Sequence, residues 1–336
     1  MRGLDMSIHG DRVIKIIVLM GILAFLLLLV FAAALNRVLQ PNERERVVIR
    51  TRYSPFDSAR AYRDLEWSVG LGPRPAGSET AVLLRQRLKR ELAEAGLRVW
   101  EHAFEADTPL GKRGMVNLVA VVEGSRPGVI LLGNHYDTKH FSDFEFVGAN
   151  DGGSTTAWML EAARMFGPRR EGRSLWLVWF DGEESFGRWS ASDGLYGSRA
   201  FVEHLRAQDQ LGDIHAMINL DMIGDCYLRI LRDRNAAPWL LEIVWDVAQR
   251  LGYGNHFGRG VQDIQDDDLP FRKAGVPTLL LIDFSYGGSI MEHRKNWHTK
   301  HDTLDKVCPE SLQAVADVLY HALPAIEAHL NEAGNP

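Results

Sequence analysis

The chain has 336 residues, 46% hydrophobic and 24% charged, enough to bury one large core. A net charge of -6 and a pI near 6.1 supply no cationic footprint for nucleic acid, and no Cys-x-x-Cys pair or Gly-rich phosphate loop precedes a helix. Cys226 and Cys308 lie far apart with no metal-ligand spacing and read as buried thiols in preference to a disulfide.

Residues 1–15 form an N-terminal tail, followed by an uncharged run from Ile16 to Leu35. At about 1.5 Å per residue, a helix of that length covers the roughly 30 Å of a bilayer core, so the run reads as an uncleaved transmembrane anchor. A cleaved signal segment is the competing assignment, because FAAAL offers small residues near its end. Arg and Lys flank the run on both sides and do not orient it. The architecture suggests a domain outside the cytoplasm, periplasmic or luminal, and secreted if the segment is cut. Residues 36–55 are mixed-charge and Pro-bounded, as in a stalk, and the folded domain is expected over 56–332 as a monomer.

Within that domain, Ser78–Gly96 carries an apolar stripe at helical spacing and ends on a glycine stop. Strand-like runs follow at Leu118–Val122, Val129–Leu132, Leu175–Phe180, Ala216–Leu220 and Thr278–Ile282, several apolar on both faces as central parallel strands are. Helical patterns at Thr155–Phe166, Ser198–His204, Trp239–Leu251 and Pro309–Leu330 alternate with them. This order predicts a three-layer α/β sandwich around a mixed, mostly parallel sheet, with its ligand site off the strand carboxyl ends.

Polar residues gather at those ends. His135 and Asp137 follow GVILLGN, Asp151 lies in FVGAND, Glu183 and Glu184 follow LWLVWF, Asp221 follows AMINL, and His298 sits in NWHT. Two adjacent carboxylates ending so apolar a strand repel each other unless a cation or shared proton intervenes. One Asp, one Glu and one His leave a tetrahedral zinc one open position, as catalysis requires, and the second Glu of the pair is placed to move protons. Which Glu does which is open on these residues alone. His135 with Asp221 reads either as a second metal pair or as a metal-free hydrogen-bonded pair, and His301 reads as a surface residue.

At these positions the chain resembles the zinc aminopeptidase and glutaminyl cyclase superfamily, and its cyclase branch more closely. HYDTKHF at 135–141, FVGAND at 146–151, FDGEESFGRWSASDGLYGSR at 180–199, NLDMIG at 219–224, QDDDLPFRKAGVP at 265–277 and NWHT at 296–299 are similar, in order, to the cyclase blocks. The resemblance implies one zinc ion on Asp151, Glu184 and His298, with Glu183 as proton shuttle. It also implies a hydrogen-bond network of Asp221 and Asp266, and pocket walls from Trp189 and Trp297. The implied reaction is zinc-dependent conversion of an N-terminal Gln of peptides to pyroglutamate with release of ammonia, Glu being an open second substrate. The chain departs from the animal cyclases in having Asp266-Asp267-Asp268 where a pocket imidazole is expected at the third position, and in lacking the cysteine pair that flanks HYD.

The alternative is a di-zinc aminopeptidase, with Asp151 bridging, His135 and Asp221 completing one site, and Glu184 and His298 the other. A third reading, a non-catalytic ectodomain, fits poorly with an intact double Glu.

Overall fold

Strands rich in β-branched and aromatic residues alternate here with amphipathic helices, and the side-chain period of two in the strands decides which layer each helix joins. The computed structural model describes residues 17–28, 30, 44–287 and 295–333. From Arg44 the order is α1 (Ser58–Gly70), α2 (Glu79–Glu94), β1 (Arg98–Thr108), β2 (Gly111–His135), α3 (Thr155–Phe166), β3 (Arg169–Phe180), α4 (Tyr196–Ala207), β4 (Ile214–Asp221), β5 (Ile230–Asp233), α5 (Pro238–Arg250), β6 (Phe257–Gln262), α6 (Asp268–Lys273), β7 (Thr278–Ile282) and α7 (Pro309–Ala333).

The main sheet runs β1-β2-β4-β7, with β3 also paired to β2. The long β2 flanks β3 twice: Leu118 to Val122 face Trp179 back to Leu175, while Ile130 to His135 face Leu175 on to Phe180. Its second half is also parallel to β4, and β4 is parallel to β7, so the centre of the sheet is parallel and the β1 edge antiparallel. Along β2, Leu118, Ala120 and Val122 join one core with α2, α3, α5 and α7, whereas Val119 and Val121 join the opposite core with Phe201, Val202 and Leu205 of α4 and Phe271 of α6. Leu177 and Trp179 against Val178 and Phe180 repeat the alternation in β3. These are the three layers expected.

Two sequence expectations change. Cys226 and Cys308 are bonded to each other, not free thiols; they lie 82 residues apart in the chain but face one another at the base of α7, with Cα atoms 4.8 Å apart. The segment read as a stalk is docked from Arg44 onward: Arg44 pairs with Asp225 at 2.8 Å and Asp283 at 3.0 Å, Val47 is buried in the core, and Ser54 donates to Asp317 at 2.6 Å. Residues 36–43 and the tail 1–15 lie outside the described residues. Of the apolar run 16–35, residues 17–28 and 30 are described as helix with exposed side chains, the remainder lying outside. Among the described residues, no helix is long and apolar enough to cross a membrane.

Candidate active site

Parallel strands carry their carboxyl ends to one edge, and the loops leaving that edge bring the chemistry together. His135 ends β2, Asp221 ends β4, Glu183 and Glu184 follow β3, and His298 follows β7. Asp151 sits in a kinked turn at 149–154 ahead of α3, where Gly152 has φ 73°. A Cβ at Gly152 would lie 2.7 Å from the Asp137 carbonyl oxygen and 3.0 Å from His135 Cε1, so only glycine lets that turn close against the strand. His298 itself has φ 54°, a conformation that a side chain adopts only under tertiary constraint.

The side chains converge as two triads that share Asp151. In one, His298 Nε2 lies 2.9 Å from Glu184 Oε1 and 3.3 Å from Asp151 Oδ2. In the other, His135 Nε2 lies 3.2 Å from Asp151 Oδ1 and 3.3 Å from Asp221 Oδ1. The His135 Nδ1 is 3.1 Å from the Asp137 main-chain oxygen and 3.5 Å from its carboxylate, so the carbonyl is the closer group orienting this ring.

The Asp137 carboxylate has a different task. It accepts from the main-chain N–H groups of Glu183 at 3.1 Å and Glu184 at 3.3 Å, which sets the turn holding both acids. Asp302 does the same for the Asp151 turn, accepting from Asn150 N at 2.8 Å, Asp151 N at 3.1 Å and the Tyr286 hydroxyl at 2.8 Å. The buried Arg74 donates to the carbonyl of Gly148 at 3.3 Å and places a cation beneath an acid-rich floor. Lys139 donates to the Ser185 carbonyl and hydroxyl, with its Nζ 3.6 Å from Glu184. Sequence reasoning missed Asp302, Arg74 and Lys139 as site residues, although HDT, GPRP and HYDTK were there to be read. Their signal is an ion pair or main-chain contact that only the folded chain forms.

Electrostatics separate the acids by role. Burial first, then the neighbouring Glu184, Asp266 and Asp267 charges, raise Glu183 well above the usual carboxylate range, with the His135 charge opposing. Burial and the nearby Asp221 and Asp267 raise Asp266 likewise. Burial acts against ionisation of Asp151, but contact with His135 and His298 prevails and lowers it. His298 is pushed up to about 9 because Glu184 and Asp151 outweigh its burial, and His135 is raised well above the imidazole range because Asp137, Asp151 and Asp221 outweigh its own. Two clusters of carboxylates and imidazoles, each tied together by short contacts, therefore sit beside a carboxyl whose proton affinity is raised.

A cleft of ≈ 450 Å³ opens over the first triad, lined by Asp151, Glu183, Glu184, Asp221, Asp266 and His298 together with Trp189, Phe284 and Trp297. The Trp297 ring stacks on His298 at 3.9 Å between centroids, and Phe284 meets Trp297 edge-on at 5.1 Å. Trp189 is 38% exposed at the rim. Asp266 Oδ1 accepts from Asn219 at 2.9 Å. Asp268 does not line the cleft: it opens α6, is buried, and accepts from the Thr278 hydroxyl at 3.1 Å, so the third acid of the DDD run is a structural group. His301 is exposed.

The donor set suits a metal ion. Asp151 Oδ2 is buried and makes no hydrogen bond, and two carboxylates with one imidazole offer the mixed oxygen and nitrogen ligands that zinc accepts.

The pattern of Peptidase family M28 matches residues 117–323. The glutaminyl-peptide cyclotransferase of Bos taurus is 31% identical over 273 residues, covering 70% of this chain and 73% of its own length. That of Gloydius blomhoffii is 30% identical over 302 residues, covering 75% and 79%. Among solved structures, an Acidobacteriales bacterium glutaminyl cyclase superposes with a TM-score of 0.77 at 35% identity, over 85% of this chain and 99% of the other. The edge of this sheet thus carries the loops of an enzyme, and the chain belongs to peptidase family M28 and, within it, to the glutaminyl-peptide cyclotransferases.

Proposed function

We propose that the protein is a zinc-dependent glutaminyl-peptide cyclotransferase that closes an N-terminal Gln into pyroglutamate and releases ammonia, with N-terminal Glu as an open second substrate. Asp151, Glu184 and His298 would hold one zinc ion. Bound there, zinc supplies a Lewis acid for the γ-carboxamide oxygen. The observation that carries the reading is Glu183, beside that triad, buried, lining the cleft and raised in proton affinity. Its carboxylate takes the proton of the α-amino group as that nitrogen bonds to the carbon of the side-chain carboxamide (Cδ), and returns a proton to the ammonia departing from that same carbon as its carbon–nitrogen bond breaks. Burial and the charge of Asp266 beside it sustain that proton affinity, and Asp221 acts in the same way on Asp266. Trp297 and Trp189 wall the cleft and hold the two ends of the glutaminyl residue within reach, which removes much of the entropic barrier to a five-membered ring.

A second reading keeps support from one observation. Asp151 presents one oxygen to His298 and the other to His135, which is the disposition a bridging ligand needs in a di-zinc aminopeptidase. Against it, His135 lies within hydrogen-bonding reach of both Asp151 at 3.2 Å and Asp221 at 3.3 Å, so this trio can close on itself without a second ion. Ammonia release from Gln-peptides against amino-acid release from Leu-peptides, measured alongside zinc per chain, separates the two. Ammonia with one zinc supports the cyclase, and free leucine with two zinc ions overturns it.

The domain plan proposed is a tail, an apolar anchor at 16–35 that tethers the chain to a membrane, and a monomeric catalytic domain outside the cytoplasm. The Cys226–Cys308 disulfide supports an oxidising compartment.

A further inference from the structure

The cleft over Glu183 has room for the first residue of a peptide, and the rest of that peptide needs a path outward. A second depression of ≈ 580 Å³ lies beside the first, and Trp189 and Gln265 line both. Its floor is apolar, made by Leu195 and Val202 on the α4 side and by Leu269, Pro270 and Ala274 on the α6 side. Its polar lining includes Arg199, Arg206, Lys273 and Glu203.

These charges do not cancel. Arg206 pairs with Glu203. Arg199 donates to the main-chain carbonyls of Leu195 at 3.1 Å and Ala191 at 2.9 Å, contacts that fix the guanidinium and leave its charge in place. Lys273 is exposed and has no ion pair among the described residues. The groove thus presents two uncompensated cations above an apolar floor.

The wall between the two depressions is built, not incidental. Asp193 accepts from Phe186 N at 2.9 Å, Gly187 N at 2.8 Å and the Tyr196 hydroxyl at 2.8 Å, closing the loop that carries Trp189. The indole lies against the main chain of Gly194, where a Cβ would sit 2.9 Å from its Cζ3 at φ 121°. A substrate whose α-amino group faces Glu183 leaves the closed end of the cleft at this rim, and at about 3.3 Å per residue its next two or three residues reach over Trp189.

We propose that this groove is the subsite for the residues following the N-terminal Gln, and that it selects an apolar residue followed by an acidic one. The assignment rests on the cleft being the Gln-peptide site. The apolar floor takes the second side chain, and Lys273 with Arg199 takes the carboxylate of the third.

The test uses the full zinc-loaded chain with Gln-Leu-Glu-Ala-amide, Gln-Leu-Lys-Ala-amide and Gln-amide, comparing kcat/KM for each. The parent is expected to favour the acidic over the basic peptide by about three- to tenfold, as screened surface charges allow, and to lose most of that preference at ~0.5 M salt. Lys273→Glu reverses the order and leaves Gln-amide turnover unchanged. Equal values for the two peptides in parent and variant overturn the proposal while leaving the cyclase reading intact. Binding of both peptides to the turnover-deficient Glu183→Gln protein is measured in parallel by calorimetry. If no Gln substrate is cyclised, the cyclase reading is what fails, and the groove then stands or falls on whether the acidic peptide binds more tightly.

Discussion

Replacing Glu183 with Gln keeps the shape of the side chain and removes one proton acceptor and one charge. The turn stays as it was, because its support is main chain: Glu183 N on Asp137 at 3.1 Å, and the Glu183 carbonyl accepting from Leu195 N at 2.8 Å. Asp151, Glu184 and His298 are untouched, so zinc content should stay at the parent value. A positioned general acid and base contributes about 10²- to 10⁴-fold, so turnover of a Gln-peptide should fall by that factor, roughly 3–5 kcal/mol of barrier. Stability moves the other way. Because the folded state raises the Glu183 proton affinity, the ionised group works against folding once pH rises past its unfolded value, and this penalty grows until the folded value is passed. The metal-free Gln variant should therefore match the parent's Tm at low pH and exceed it progressively as pH rises. Ammonia release, zinc analysis and melting curves across roughly pH 5 to 9 test all three parts. Turnover within tenfold of the parent, or loss of zinc with the fold intact, would refute the shuttle role.

His298→Ala should abolish both zinc retention and turnover, the contrast that separates a ligand from a proton carrier, with metal analysis as the readout. In the metal-free parent His298 is raised to about 9, so its attraction to Glu184 and Asp151 is fully present below about pH 6.5 and fades as pH climbs through about 9. A metal must displace that proton, so apparent zinc affinity should increase with pH up to about 9, with proton release visible by calorimetry in buffers of different ionisation enthalpy. Asp302→Asn sets an amide donor against one of three donors, Asn150 N, Asp151 N or the Tyr286 hydroxyl. It should cost about 1–3 kcal/mol in denaturant titrations and weaken zinc binding by about 10- to 100-fold in chelator competition, and unchanged zinc affinity would contradict its hold on the Asp151 turn. Changing Cys226 and Cys308 together to Ser opens a link spanning 82 residues and should lower unfolding free energy by about 2–5 kcal/mol, read from the denaturant midpoint.

The five central strand runs and five of the helices were legible because their signal is local. Val-, Ile- and Leu-rich segments such as Leu175–Phe180 cannot be solvated, and the stripe of Ser78–Gly96 has a helical period. Elements with a diluted signal were not. The helix Ser58–Gly70 is rich in Arg, Asp and Glu, the edge strand Arg98–Thr108 is exposed along one side, and Phe257–Gln262 has two glycines in six residues. Each is held by its neighbours more than by its own pattern. The docked segment after Arg44 escaped for the same reason: nothing in its composition indicates that Asp225 and Asp283 will be waiting for its guanidinium.

Sequence alone determined the layered α/β class, the family, and the polar residues that gather at the strand ends, because those positions follow apolar strands whose identity is written in consecutive letters. Only the tertiary structure decided that Asp151 faces two histidines at once, that Asp137 and Asp302 hold the two acidic turns, that Asp268 turns away from the cleft, and that Cys226 meets Cys308. Those are distances between residues tens to hundreds of positions apart, and a distance of that kind is set by how the layers pack, a quantity that no local stretch of chain carries.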